Sequence, residues 1–133
     1  MTKQPTSLGA FSVSLSVKDI HKSQEFYEKL DFVVVLGDAA QHWLILRNGA
    51  VTIGLFQGVF DRNSLTFNPG WDEQAQPVGA FADIREHQRR LEAKGLEILH
   101  ASDESGTGPA SFLLLDPDGN PIRIDQHVES PAS

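Results

Sequence analysis

The strongest constraint on the fold of this chain is a pattern of elements that occurs twice. A strand, a helix and three short strands follow one another in the first half, and the second half repeats this order. Residues 53–57, the last strand of the first half, align with residues 122–126 of the second. A unit of this kind leaves one sheet face uncovered when it folds alone, so the two copies are expected to fold together.

This repeat predicts an α+β fold. We expect a single domain over residues 1–133, with β-α-β-β-β modules at about residues 8–57 and 64–128. The helices lie on one side of the predicted strands and polar positions lie on the other. Two curled mixed sheets around a cavity would satisfy both features.

The first module shows its pattern most clearly at its beginning. Residues 11–17 alternate between apolar side chains and serines, which predicts a strand with one apolar face. Asp19 is a candidate N-cap for a helix that runs to about Leu30. Three strands are predicted to follow, at residues 32–36, 43–47 and 51–57. The pair Asn48-Gly49 predicts a hairpin between the last two.

The second module offers two choices for its first strand, residues 64–68 or residues 77–82. Asp83 and Glu86 resemble a capping box, and Gly95 is a typical residue after a helix C-terminus. These residues predict a helix from Ile84 to about Lys94. Further strands are predicted at residues 96–100, 111–115 and 122–128, with a turn at residues 116–119.

Composition and charge exclude several classes of function. The 133 residues include no cysteine, which removes a thiolate nucleophile and a cysteine metal site and suits a cytoplasmic location. The net charge of −7 disfavours nucleic acid as a partner. No segment approaches the roughly 20 apolar residues of a membrane span, and the first ten residues do not resemble a signal peptide.

The basic residues of the second predicted helix are expected to form a solvated face. They alternate with glutamates, as is typical of an exposed helix. The basic set is Arg85, Arg89, Arg90 and Lys94. The helical histidines His21 and His87 are likewise expected at the surface.

Two segments resemble a known family. Residues 19–32 contain the patterns D-I, S-x-x-F-Y and L-D-F in that order, and residues 112–124 contain D-P-D-G-N-P. These segments resemble the opening and closing segments of the vicinal-oxygen-chelate superfamily, which includes glyoxalases, bleomycin resistance proteins and extradiol dioxygenases. Asp31 stands where the family has glycine, and aspartate tolerates a positive φ. With the repeat, the resemblance covers about residues 8–128.

The resemblance implies a small-molecule ligand in the concave sheet and a homodimer. The family contains isomerases, dioxygenases, thiol transferases and antibiotic-sequestering proteins, so its fold does not determine the function.

The resemblance also implies four metal-binding positions, one on the first and one on the last strand of each module. In this chain they fall on Ser12, Gly54, Ser64 (or Gln76, if residues 77–82 form the strand) and Arg123. Serine is a poor ligand, glycine has no side chain, and arginine keeps its positive charge. We therefore predict no metal cofactor at the usual family position.

The last predicted strand carries the candidate ligand-binding residues. Arg123, Asp125 and His127 project to one face, and a guanidinium there favours a carboxylate, phosphate or enolate. Asp125 and His127, joined by His42 or Asp72, are an alternative displaced metal site. An ion pair of Asp125 with Arg123 and a surface position for His127 are the simpler interpretation.

Other candidates lie where strands leave the sheet or face its interior. Asn68, Trp71 and Asp72 follow the predicted strand 64–68 and can line a pocket. Phe56 shares the inner face of the first module with Ser14, Ser16 and Thr52. Trp43 can stack on a ligand, lie in the core or contact a second subunit.

Three functions follow from these observations. The first is a protein that binds a small anionic or oxygen-rich metabolite through Arg123 without metal, with Asp125 or His127 as proton-transfer groups. The second is a glyoxalase-type lyase or isomerase with a divalent metal at a displaced site. The third is a drug-sequestering resistance protein for a cationic compound, which the charge of −7 favours.

Overall fold

The computed structural model describes residues 7–103 and 105–131. Within those residues it has seven strands, two α-helices and a single-turn 3₁₀ helix, Ala39–Gln41. In chain order the strands and α-helices are β1 (Ala10–Val17), α1 (Ile20–Glu28), β2 (Val33–Asp38), β3 (Trp43–Asn48), β4 (Val51–Gln57), β5 (Ser64–Asn68), α2 (Ile84–Ala93), β6 (Ala110–Leu115) and β7 (Pro121–Gln126). This content confirms the predicted α+β fold class.

The chain forms two compact units. The first unit is Phe11–Leu65, and the second combines residues 7–10 with the described residues from 66 to 131. The division falls at one end inside β1 and at the other inside β5.

The first unit is a mixed sheet with the strand order β2-β3-β4-β1. Strand β1 runs parallel to β4, whereas β3 is antiparallel to both of its neighbours. The core lies between this sheet and α1. Its buried members are Ile20, Leu44, Leu46, Ile53 and Leu55.

Helix α1 begins and ends where its sequence predicts a boundary. Asp19 accepts hydrogen bonds from the backbone N–H groups of His21 and Lys22, which satisfies two free donors of the first turn. At the other end Asp31 adopts a φ of 69°, the left-handed conformation that terminates a helix. Because of this terminator, the helix ends at Glu28 rather than near Leu30.

The second unit places β7 between β5 and β6. Strands β6 and β7 are antiparallel and are joined by the predicted turn at residues 116–119. Helix α2 covers one face of this sheet. Its buried core consists of Ile84, Phe112, Leu114 and Ile124. Leu8, from the N-terminal segment, packs against the same core.

In both units a glutamine side chain accepts a hydrogen bond from the first residue of the helix. In the first unit the side-chain oxygen of Gln57 accepts a hydrogen bond from the backbone N–H of Ile20, at 2.8 Å. In the second unit Gln126 does the same for Ile84, at 2.9 Å. Each glutamine ends the last strand of its unit, and each isoleucine is the first residue of the helix. The repeat in sequence is thus matched by a repeated contact.

Two sequence-based expectations are wrong, and one choice that the sequence left open is resolved. Residues 96–100 form no strand and make only a single bridge, between Leu99 and Leu113. Of the two choices for the first strand of the second module, residues 77–82 form no strand and residues 64–68 form β5. Neither His87 nor Arg85 lies at the surface, since their exposed fractions are 0% and 5%.

The buried side chain of Arg85 forms hydrogen bonds with the backbone of the loop before β6. Its guanidinium donates to the backbone oxygens of Asp103 and Gly108, both at 2.8 Å.

Neither described helix is long and apolar enough to cross a membrane.

Candidate functional site

The first unit presents a helix-free face made of three adjacent strands. Because side chains alternate along a strand, the residues on this face are those opposite the core positions. Trp43 of β3 lies directly across from Phe56 of β4, and Ser16 of β1 is also in register with Phe56. The predicted placement of Phe56 on one face with Ser14, Ser16 and Thr52 is therefore confirmed.

Phe56 covers the position of Gly54 on this face. A Cβ atom added to Gly54 would lie 2.6 Å from Cε2 of the Phe56 ring. The ring therefore occupies the volume in which a side chain at position 54 would start. Phe56 also makes an edge-on contact with Phe60, with ring centroids 5.0 Å apart.

The loop that carries Phe60 is fastened to β1. The hydroxyl of Ser16 donates to the backbone oxygen of Phe60 at 2.6 Å, and the side-chain oxygen of Asn63 accepts from the backbone N–H of Ser16 at 2.8 Å. These bonds fix the loop, so the aromatic pair has a defined place on the face.

In the second unit, β7 carries charged side chains on the face opposite its core. Ile124 is completely buried and Ile122 packs beside the core, so Arg123 and Asp125 project to the other side. Both charged residues are half-buried.

Four predicted residues come together at the C-terminal end of β7. The imidazole of His127 stacks on the indole of Trp71, with ring centroids 4.4 Å apart and an interplanar angle of 12°. Nε2 of His127 lies 3.4 Å from Oδ2 of Asp125. The side chain of Asn68 donates to the backbone oxygen of Asp125 at 3.0 Å. A carboxylate beside an imidazole can orient the ring by accepting a hydrogen bond from its N–H group.

Asp72 follows Trp71, and its side chain forms hydrogen bonds with the backbone of the same loop. Its Oδ1 atom accepts hydrogen bonds from the backbone N–H groups of Gln74 and Gln76, at 2.9 and 3.0 Å. The backbone N–H of Val78 donates to the oxygen of Gly70 at 2.8 Å. These bonds stabilise the loop that positions Trp71.

A cavity of about 370 Å³ lies in the second unit beside this loop. Its lining includes Ser7, Gly9, Gly70, Trp71, Ala80 and Phe81. Among the described residues that line it, none carries a charge. Trp71 thus belongs to the wall of the cavity and to the stack with His127.

Asp83, at the N-terminus of α2, accepts hydrogen bonds from three residues, Arg85, Gln126 and Ser130. Burial alone would raise the pKa of Asp83, but hydrogen bonds from Ser130, Gln126 and Arg85 outweigh it and hold the pKa below its ordinary value. Asp83 therefore stays ionised as the N-cap of α2, and it has a structural task rather than a chemical one.

The family model of the Glyoxalase/Bleomycin resistance protein/Dioxygenase superfamily matches residues 9–124, which is most of the chain. The chain belongs to this superfamily.

Individual relatives within the superfamily are distant. A bleomycin resistance protein from Klebsiella pneumoniae is 27% identical over 124 residues, which cover 86% of this chain and 89% of the relative. A solved structure from Vibrio splendidus, a member of the same superfamily, has a TM-score of 0.59 at 19% identity and covers 87% of this chain and 97% of its own.

Another solved structure with a similar fold is described by a different activity. The structure described as an NAD-dependent benzaldehyde dehydrogenase from Legionella pneumophila has a TM-score of 0.66 at 21% identity, and the match covers 88% of this chain and 98% of that one. At this identity the likeness shows a common fold alone.

The four superfamily metal positions do not fit a divalent cation in this chain. Because β5 is the first strand of the second module, the third position is Ser64 and not Gln76. Ser12 and Ser64 offer only hydroxyls, and the Phe56 ring fills the place of a side chain at Gly54. Arg123 brings a positive charge. Across residues 7–103 and 105–131, no group of three or more His, Asp or Glu side chains is placed to hold a metal.

The structure thus groups most of the predicted site residues into two sets. Trp43 and Phe56 form a cross-strand pair in the first unit, and Asn68, Trp71, Asp125 and His127 cluster in the second. The cavity was not predictable from the sequence, because its wall combines the N-terminal segment with the loop after β5. The glycines at positions 9 and 70, both with a φ of 90°, were the available signal.

Proposed function

We propose that this protein binds a small anionic or oxygen-rich molecule without a metal at the superfamily position. The observation that carries the proposal is the place of Arg123 on the face of β7 that also presents Asp125, opposite the buried Ile124. A guanidinium has five donors in a planar fork, so it can retain a partner within the protein and still bind a carboxylate or phosphate.

The neighbouring residues give this ligand further contacts. His127 lies flat on Trp71 and within 3.4 Å of Asp125, which supports a role as a proton donor or acceptor for a bound oxygen. Asn68 and Asp72 act on this group indirectly, since one bonds to the backbone at Asp125 and the other holds the loop of Trp71. Within the first unit, we propose the cross-strand pair Trp43 and Phe56 as ligand contacts of that unit's own face.

Metal independence rests on the chemistry of the superfamily positions. A divalent cation at these positions would meet two weak hydroxyl ligands, a position without a side chain and a guanidinium. We therefore expect binding to survive exhaustive treatment with a chelator.

Three ligands of the same shape test the sign of the ligand charge. Benzoate, benzamide and benzamidine differ at one group and are anionic, neutral and cationic. At about 100 times its Kd a ligand stabilises a protein by about 2.7 kcal/mol, which a thermal melt detects readily. We expect benzoate to raise Tm most, with or without chelator, and the Arg123→Gln variant to lose this response.

The matched control is Arg89→Gln, which removes an exposed arginine from α2. It should respond to benzoate as the unchanged protein does. An equal benzoate response in the Arg123→Gln variant, or a response that disappears with chelator, would contradict the proposal.

A second candidate is the sequestration of a cationic drug. It is supported by the Klebsiella pneumoniae bleomycin resistance protein, which matches this chain over 124 residues, and by the net charge of −7. Calorimetric titration with metal-free bleomycin separates the two candidates. Saturable bleomycin binding, together with a larger thermal response to benzamidine than to benzoate, would favour sequestration.

We also infer that the two modules act as one domain of a homodimer in the cytoplasm. Exposed apolar side chains on β2 support self-association, since Val33 and Leu36 have exposed fractions of 60% and 52%. The absence of cysteine suits a reducing compartment.

A further inference from the structure

The cavity of the second unit is lined by aromatic and small uncharged residues. Two aromatic side chains, Trp71 and Phe81, contribute to its wall, and small residues such as Gly9 and Ala80 contribute most of the remainder. Burying an ion there would incur a desolvation cost with no charged partner among the described lining residues. An aromatic group, by contrast, gains both apolar contact and ring–ring geometry.

The backbone that lines the cavity is closely packed at two glycines. Gly9 approaches the chain so closely that an added Cβ would lie 2.1 Å from the backbone oxygen of Asn68. An added Cβ at Gly70 would lie 2.3 Å from a methyl group of Val128. The close packing at both glycines and the hydrogen bonds of Asp72 within the loop position the backbone of the wall. Ligand sites are usually preformed in this way.

The volume limits the size of the occupant. An apolar cavity of about 150 Å³ accepts benzene, and ligand pockets commonly begin at about 300 Å³. The value of about 370 Å³ therefore suits a fused pair of rings better than a single ring. Ala80 is exposed as well as lining the cavity, so the cavity is reached from solvent.

We infer that this cavity is a binding site for the uncharged, planar aromatic part of a small molecule. The site is distinct from the charged face of β7, although the indole of Trp71 belongs to the cavity wall and also stacks on His127. A ring bound in the cavity thus contacts an indole that is already part of the proposed site. The inference does not require Arg123 to bind an anion.

Calorimetric titration with 2-naphthol tests the inference, because this compound is planar, has two rings and is neutral at pH 7. Its fully saturated analogue, decahydro-2-naphthol, is the matched ligand control. We expect saturable 1:1 binding of 2-naphthol and about tenfold weaker binding of the saturated compound.

Two variants locate the binding. Ala80→Leu fills the cavity from its exposed side and should weaken 2-naphthol binding by about tenfold or more. Ala93→Leu makes the same change at an exposed position of α2 outside the lining and should leave the affinity unchanged. The Arg123→Gln variant should also retain 2-naphthol binding, so a failure of the proposed anion site leaves this test intact.

A measurement on the unchanged protein guards against a variant that does not fold. The chain has two tryptophans, and their indole N–H signals in a nitrogen–proton NMR spectrum are assigned with Trp43→Phe. The Trp71 signal should move on titration with 2-naphthol, whereas the Trp43 signal should not. No saturable binding, an unchanged affinity in Ala80→Leu, or a shift confined to Trp43 would each overturn the inference.

Discussion

His87 is a titratable side chain buried inside the second unit. Its exposed fraction is 0%, and its Nδ1 atom lies 3.0 Å from a guanidinium nitrogen of Arg90. Its Nε2 atom is buried and has no hydrogen-bond partner among the described residues. Burial and the charge of Arg90 lower the pKa of His87 below its ordinary value of 6.5, against the opposing effect of Glu86 and Asp83.

This burial predicts a loss of stability in mild acid. The unfolded chain binds a proton at His87 near pH 6.5, whereas the folded protein does so only at lower pH, so the free energy of unfolding falls as the pH drops below 6.5. Thermal melts at pH 7.5 and 5.5 should show a smaller difference in Tm for His87→Gln than for the unchanged protein. His21→Gln, at an exposed position of α1, serves as the control. Equal differences for both variants would refute the prediction.

The Phe56 ring predicts a cost for any side chain at Gly54. Gly54→Ala places a Cβ 2.6 Å from this ring, so the ring must move. We expect a loss of about 1–3 kcal/mol in the free energy of unfolding. Because the clash is with a single ring, the same substitution should cost about 1 kcal/mol less in a Phe56→Leu background. Urea denaturation of the four proteins measures this coupling, and strictly additive effects would show that the ring is not the obstacle.

At the scale of the elements, the two glutamine contacts at the helix N-termini should differ in strength. Gln126 is 1% exposed and satisfies all its polar atoms, since its amide nitrogen also donates to Asp83 and Val128. Gln57 is half-buried. Leaving a buried backbone N–H without a partner costs more than leaving one that water can reach.

Gln126→Ala should therefore lower the free energy of unfolding by about 2–3 kcal/mol, and Gln57→Ala by about 1 kcal/mol. Urea denaturation checks both values. Gln74→Ala, at an exposed position of the loop after β5, should stay within about 0.5 kcal/mol of the unchanged protein. Equal losses at positions 57 and 126 would show that burial does not set the strength of the contact.

Elements with a strong local signal could be predicted from the sequence. The alternation in β1, the Asn48-Gly49 hairpin and the capping aspartates each specify a local conformation. Residues 96–100 have the composition of a strand, but Gly95 and His100 adopt φ values of 89° and 50°. These left-handed residues at both ends leave a segment too short to pair beyond one bridge.

Only the part of the candidate site that depends on the alternation of side chains along a strand could be predicted from the sequence. This alternation placed Arg123 and Asp125 on one face, because their isoleucine neighbours must be buried. The stacking of Trp71 on His127 depends on the path of the fifteen-residue connection between β5 and α2, and no short-range pattern encodes that path. The burial of His87 depends on the packing of α2 against its sheet, which periodicity alone did not reveal.

For the whole molecule, the apolar surface of β2 predicts self-association. Strand β2 lies at the edge of the first unit, and Val35 is 42% exposed between other apolar residues. Uncharged edge strands commonly pair or are covered. Sedimentation velocity should show a dimer that Val35→Lys converts to a monomer. Leu115→Lys, which changes an exposed apolar residue of β6, should remain dimeric. A monomeric unchanged protein would contradict this expectation.

The second unit is assembled from two stretches of chain that are distant in sequence. The backbone at Gly9 packs against Asn68, Leu8 joins the core beside Ile84, and Ser7 belongs to the cavity wall. A gene fragment that starts at residue 66 would encode the rest of the second unit. It would lack the N-terminal residues 7–10, which belong to the same unit. Cutting the gene between its two repeats would therefore not yield an autonomous second half, and adding the peptide back in trans should restore what the fragment is missing.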